Sequence, residues 1–146
     1  MSLKEWKSMY YPVEASTITN EKDALIHSYK KWLGLRPHVL KKYNIIHKLH
    51  STALFYNSTK EGGFYIHDTS CALCQIYLYN DINTTCIECP LYKIREERCY
   101  KLNGSIFNSP YHKFIDNDDP TDMINLLKNA IKKYARIHEG KKYDNK

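Results

Sequence analysis

The 146-residue sequence predicts an α+β fold, mainly α: a small core of amphipathic helices interrupted by a cysteine-rich lobe. Three observations predict it. Apolar residues recur at helical spacing over 21–33, 37–55 and 120–138, each stretch opened by a capping residue or a proline. All five cysteines fall within 71–99, a polar, turn-rich stretch with little aliphatic material of its own. Short aromatic and β-branched runs at 64–69 and 75–79 alternate in the manner of strands and flank the first cysteine pair.

In chain order, residues 1–19 carry Trp6, Met9, Tyr10 and Val13, which fit a short helix or strand laid over the core, interrupted by Pro12. Asn20 is an N-cap with Asp23 at the third helical position, and Leu25, Ile26, Tyr29, Trp32 and Leu33 then form one face. Gly34 marks the C-terminal stop. Pro37 opens a second helix to about Phe55, with a buried stripe of Val39, Leu40, Tyr43, Ile46, Leu49, Ala53 and Leu54. On such a helix His47 and His50 lie one turn apart, but no carboxylate accompanies them, and packed or solvated histidines account for them.

Residues 57–63 form a loop. Pro90 and Pro110, the latter capped by Ser109, open two further short helices. The last helix starts at Asp119-Pro120, with Asp122 favoured by the helix dipole. Its buried face is Met123, Ile124, Leu127, Ala130, Ile131 and Tyr134. Residues 139–146 read as a flexible polar tail. The chain reads as one domain, 1–146, with the cysteine lobe, 64–114, inserted between the second and last long helices.

The cysteine spacing carries the chemistry. Cys71-Ala-Leu-Cys74 and Cys86-Ile-Glu-Cys89 are two Cys-x-x-Cys pairs separated by 11 residues. Two intervening residues let each pair turn both sulfurs toward one ion, and four thiolates suit tetrahedral Zn²⁺. The lobe is therefore expected to be zinc-ribbon-like, a four-cysteine site with a hairpin between the pairs, where metal supplies roughly 10 kcal/mol or more in place of a missing core. Four sulfur ligands leave no open position for water, so the zinc is structural. Disulfides fit less well: five cysteines is an odd number, and Met1-Ser-Leu-Lys-Glu begins no secretory signal, which points to a reducing cytoplasm. Redox chemistry would need the first cysteine of a pair at a helix N-terminus, and one pair would suffice for it. Cys99 lies roughly 15 Å beyond Cys89 if the Pro90 helix is regular, and enters the ligand set only as a substitute.

The net charge of +6 is uneven: residues 21–60 carry +6, 61–120 carry −4 and 121–146 carry +4. The cysteine lobe is thus acidic scaffold, and the flanking helices face anions. Arg36, Lys41, Lys42, Lys132 and Arg136 are the candidate ligand-binding residues, interleaved with Tyr29, Trp32, Tyr43, Tyr134 and Tyr143, which serve either as stacking faces or as helix core beneath a solvated lysine face. Thirteen tyrosines against four phenylalanines and two tryptophans suit half-buried surfaces, although an A/T-rich genome also raises Tyr. No apolar run spans a membrane. There is no glycine-rich phosphate loop, HExxH or GxSxG. The zinc-deaminase pattern fails because Pro90 follows the second pair, where that pattern needs it before. His67, Asp68 and His112 are the available general bases, and no catalytic residue is assigned.

Cys71-Ala-Leu-Cys74, Cys86-Ile-Glu-Cys89-Pro90-Leu91-Tyr92, Cys99 and Ser109-Pro110-Tyr111, followed by the helix containing Met123-Ile124-Asn125-Leu126-Leu127, resemble a group of small bacteriophage proteins. Those share the order Cys-x-Leu-Cys, Cys-x-x-Cys-Pro with Leu or Val, a further Cys, then Ser or Thr before Pro-Tyr. The specific part of the likeness is 71–114, and the long second helix and residues 100–108 depart from it. The resemblance implies a zinc-binding viral accessory factor for host takeover or anti-defence, in the host cytoplasm. Two functions follow as expectations: binding a nucleotide-like or nucleic-acid ligand through the basic helices, or docking on a host protein to inhibit it.

Overall fold

The computed structural model describes residues 3–48, 54–57, 63–65, 71–77, 89–95, 109–117 and 119–144. The described part is mainly helical, and α2 (Glu21–Leu33) is its centre, with α1 (Leu3–Tyr10), α4 (Ala72–Tyr77) and α7 (Thr121–Asp144) packed on it.

Residues 3–10 resolve the helix-or-strand ambiguity in favour of a helix, because Leu3 and Trp6, three apart, bury on one face. Trp6 Nε1 donates to the Gly34 carbonyl at 2.8 Å, tying α1 to the end of α2. A single 3-10 turn, Ala15–Thr17, follows. Thr17 holds it by donating both its amide and its hydroxyl to the Glu14 carbonyl. The Tyr11 hydroxyl accepts the Ala15 amide at 3.0 Å.

The Asn20 cap forms as expected: its Oδ1 accepts the Asp23 amide at 2.9 Å, and its Nδ2 donates to the Asp23 carboxylate. The buried arc of α2 is wider than the predicted stripe. Leu25 and Trp32 are inside, but so are His27, Ser28 and Lys31, while Ile26 is exposed. Partners on several sides bury polar positions that periodicity assigns to solvent. Gly34 ends the helix at φ −69°, a conformation open to any residue. Its role is space: a Cβ there would lie 2.6 Å from Tyr10 Cγ and 2.8 Å from Trp6 Nε1.

The expected long helix 37–55 is corrected. α3 opens at Pro37 but ends at Lys42, and β1 (Ile45–Lys48) and β2 (Leu54–Asn57) replace the rest. Asn44 turns the chain at φ 55°, a left-handed conformation that asparagine tolerates, and β-branched Ile45 and Ile46 then favour a strand. β2 pairs antiparallel with β1 (His47 opposite Phe55) and with β3 (Gly63–Tyr65; Phe55 opposite Phe64), giving the order β1-β2-β3. His47 therefore sits on a strand, and its helical spacing to His50 does not apply. The strand expected at 64–69 is met at 64–65 by β3, the one expected at 75–79 is replaced over 75–77 by helix α4, and 66–69 and 78–79 lie outside the described residues.

α5 (Pro90–Arg95) and α6 (Pro110–Asn117) start at the prolines that predict them. The Ser109 carbonyl accepts the Lys113 amide at 2.8 Å, and the Lys113 ammonium pairs with Asp122 across the α6–α7 junction. α7 packs on α2, α5 and α6. Met123, Leu127 and Ala130 of its predicted face are buried, and Ile124, Ile131 and Tyr134 are half-buried. The helix continues through Asp144, over residues expected to form a tail, and its surface is exposed from Ala135 to His138.

Ala72, Leu73, Leu91 and Phe114, all within 64–114, share one core with Trp6, Leu25, Leu35 and Leu127. Phe114 meets Trp32 edge-on, ring centres 5.2 Å apart. Among the described residues no helix is long and apolar enough to cross a membrane.

Candidate functional site

The first cysteine pair lies on a helix and not on the hairpin expected of a zinc ribbon. Cys71 precedes the first residue of α4, and Cys74 follows three positions on. A helical turn returns every third or fourth side chain to the same face, so the two-residue spacing brings the thiols together as well as a hairpin knuckle would. Cys74 hydrogen-bonds Cys71 through both its side chain and its amide. Ser28 Oγ lies 3.7 Å from Cys71 Sγ. Lys31, one turn beyond Ser28 on α2, is 1 % exposed. The Cys74 hydrogen bond, followed by the charge of Lys31 and the Ser28 hydroxyl, holds the Cys71 thiol well below its usual range despite burial. A thiol lowered in this way gives up its proton more readily, and the thiolate is the form that binds metal. The same placement at a helix start meets the requirement for redox chemistry; the second pair, Cys86 and Cys89, which a redox centre does not need, favours metal.

Cys89 is half-buried at the entrance to α5, where its carbonyl accepts the Lys93 amide at 3.1 Å. Cys86 and Cys99 lie outside the described residues, as do His67, Asp68 and the turn at 80–85. Among the described residues no three His, Cys, Asp or Glu side chains gather at metal-binding distance. Among the described residues the site is a two-thiol half-site, Cys71 and Cys74, whose ligand chemistry suits a soft divalent ion.

Beside it, His27 is buried with Nε2 2.7 Å from the Val13 carbonyl, which makes Nε2 the protonated nitrogen. Nδ1 has no hydrogen-bond partner among the described residues. Burial lowers the imidazole from its usual value, and Lys31 adds to the effect. The Tyr11 ring packs edge-on against His27 at 4.7 Å, and burial pushes its hydroxyl up to about 12.

The basic residues divide between two elements. Arg36, Lys41 and Lys42 flank or lie on α3, whose packing partner is β1, whereas Lys132 and Arg136 lie one turn apart on α7. Arg36 is engaged structurally, since its Nε donates to the Leu33 carbonyl at 2.7 Å and closes the end of α2. Lys41, Lys42, Lys132 and Arg136 are exposed. Of the aromatics that could stack on a base, two take the core role that their places on the apolar stripes also predict. Trp32 is buried against Tyr111 and Phe114, and Tyr43 is buried edge-on against Tyr10, so neither is open to a base. Both are core residues because α2 and α3 turn these positions inward.

A feature not visible in the sequence is a groove of about 290 Å³ between α2 and α7, floored by Leu25, Ile26, Ile131 and Tyr134 and edged by Lys22 and His138. The Tyr134 and His138 rings lie one turn apart, 3.9 Å between centres and 31° from parallel. It forms where Ile26 on α2 and Tyr134 with His138 on α7 continue past the contact between the two helices. Comparison with known protein families, with curated proteins and with solved structures finds no match to this chain.

Proposed function

We propose that this chain is a non-enzymatic binding protein, stapled by zinc in its cysteine-rich segment, that takes an anionic, nucleotide-like or nucleic-acid ligand along α7. The groove carries the proposal. Its apolar floor and the pairing of half-buried Tyr134 with exposed His138 offer a face to a flat ring, Lys22 stands at its edge, and Lys128 and Lys132 follow on the adjacent helical positions of α7. An aromatic face with neighbouring cations is the minimum for holding a base and its phosphates. A volume of about 290 Å³ admits a base-sized group and leaves phosphates at the rim. The likeness of the cysteine order to bacteriophage proteins supports a viral accessory factor acting on its host. Zinc is supported by the pairing of the Cys71 and Cys74 thiols, the former lowered by its Cys74 hydrogen bond, with Cys86 and Cys89 completing the set.

Binding of nucleotides and of a short oligonucleotide by the purified protein, measured at rising salt, tests this. For a DNA polymer the logarithmic salt slope falls by about 0.9 for each phosphate contact removed. Reversing Lys132 and Arg136 together is expected to weaken binding more than reversing Lys41 and Lys42. Equal effects of the two double variants, or no binding at low salt, would end the proposal. The second reading, docking on a host protein, then takes its place. It is favoured by Ile137, 48 % exposed and outside the groove that Ile26 helps to floor, as a second exposed apolar side chain.

A further inference from the structure

We propose that Lys31 and Ser28 of α2 are outer-shell donors to a zinc–thiolate centre built on Cys71 and Cys74, so that the metal is bonded into the helical core. This rests on the zinc proposal above and adds to it residues that the cysteine pattern does not name.

Lysine is among the side chains that proteins almost never bury without an anion. Here it is 1 % exposed, on the face of α2 that meets α4, beside the fully buried Ala72 and Leu73. An ordinary helix contact at that position would take leucine or methionine. The adjacent position on the same face, Ser28, is also 1 % exposed, and its hydroxyl lies 3.7 Å from Cys71 Sγ. Ser28 thus borders the sulfur directly, and Lys31, three residues on, continues the same buried face of α2.

Four thiolates on Zn²⁺ leave a net charge of −2 in a partly buried setting. Hydrogen bonds and a fixed positive charge at the sulfurs lower that cost, which is the general reason that outer-shell partners tune metal sites. Lys31 supplies the charge and Ser28 the directed O–H donor. Neither touches the ion, so both are positioning residues.

The test uses the full-length protein with zinc and, separately, Co²⁺ as the probe ion. Zinc affinity is measured by competition with a chromophoric chelator for the wild type, Lys31→Met, Ser28→Ala and a control, Lys30→Met, whose lysine is exposed. Lys31→Met is expected to weaken zinc binding roughly 10- to 100-fold, Ser28→Ala several-fold and Lys30→Met not at all. In the cobalt form, losing a positive donor raises the energy of the sulfur electrons, so the sulfur-to-cobalt charge-transfer band should shift to longer wavelength in Lys31→Met. A merely structural role would leave the band in place. Unchanged affinity and an unchanged band in Lys31→Met overturn the inference while leaving the zinc proposal intact. If Lys31→Met fails to fold, Ser28→Ala decides by the same two measurements. Wild-type protein that takes up no zinc overturns both proposals together.

Discussion

Gly34→Ala isolates the close approach between α1 and α2. The backbone at Gly34, φ −69° and ψ −14°, suits alanine as well as glycine. On conformational grounds the substitution should therefore stabilise by about 0.4–1 kcal/mol, through a less flexible unfolded chain. Space decides against it. The new methyl would stand 2.6 Å from Tyr10 Cγ, 2.7 Å from Tyr10 Cβ and 2.8 Å from Trp6 Nε1, all inside van der Waals contact. Tyr10 Cβ and Cγ are at the root of the side chain and cannot swing aside unless α1 moves. Moving α1 would also stretch the Trp6 hydrogen bond to the Gly34 carbonyl. Overpacking of this kind costs about 1–3 kcal/mol and the lost hydrogen bond about 1 kcal/mol more. The net expectation is destabilisation by about 1–3 kcal/mol, a fall in Tm of roughly 3–9 °C for a domain of this size. Urea melts followed by far-ultraviolet circular dichroism read it directly. Trp6→Phe in the Gly34→Ala background removes one of the clashing atoms, so the pair should cost less than the sum of the two single changes. A Gly34→Ala variant as stable as the wild type, or more so, would refute the packing argument and leave only the entropic gain.

Three other outcomes are expected. Elemental analysis should give one zinc per chain, lost in Cys74→Ser and Cys86→Ser and retained in Cys99→Ser; loss in the last would make Cys99 a ligand. Tyr11→Phe should cost about 1–3 kcal/mol in urea melts, because the fully buried Ala15 loses the acceptor of its amide, which the Tyr11 hydroxyl now provides at 3.0 Å. His27, whose imidazole burial lowers from the ordinary value near 6.5, is neutral in the folded chain while the unfolded chain takes up a proton. Its contribution is therefore complete above about pH 6.5 and declines as pH falls toward the lowered folded value. Metal-replete protein should lose stability from pH 7.5 to 5.5 more steeply than His27→Gln under the same conditions; equal slopes would count against a neutral buried imidazole.

Local signals were the legible part of this fold. Asn20 with Asp23, Pro37, Pro90 and Ser109-Pro110 each announce a helix start through contacts within four residues, and each start is where it was expected. The end of α3 was not legible from periodicity, because Leu40, Tyr43 and Ile46 continue the helical stripe while the turn at Asn44 and pairing with β2 override it. Burial of polar residues was hidden for a different reason. Ser28 and Lys31 look like solvent positions until α4 is laid over them, and a contact 43 residues away in sequence leaves no periodic trace. Trp32 and Tyr43 show the converse: an aromatic among lysines reads equally well as a stacking face or as core, and only the neighbouring elements decide. The thiol pair was readable as chemistry and misread as geometry, since Cys-x-x-Cys closes on a helical turn as readily as on a hairpin.

Because α1, α4 and α7 all lean on α2, the amides of α2 have no partial opening that spares the rest of the molecule. Their hydrogen exchange should proceed only through global unfolding, at the slowest rate in the chain. The turns of α7 beyond Ala135, exposed on every described side chain to His138, belong to the opposite regime and should fray without disturbing anything else. Sequence drift in such a protein is then partitioned. A change in α2 is felt simultaneously by three neighbours, whereas an exposed position of α7 away from the groove answers to none of them.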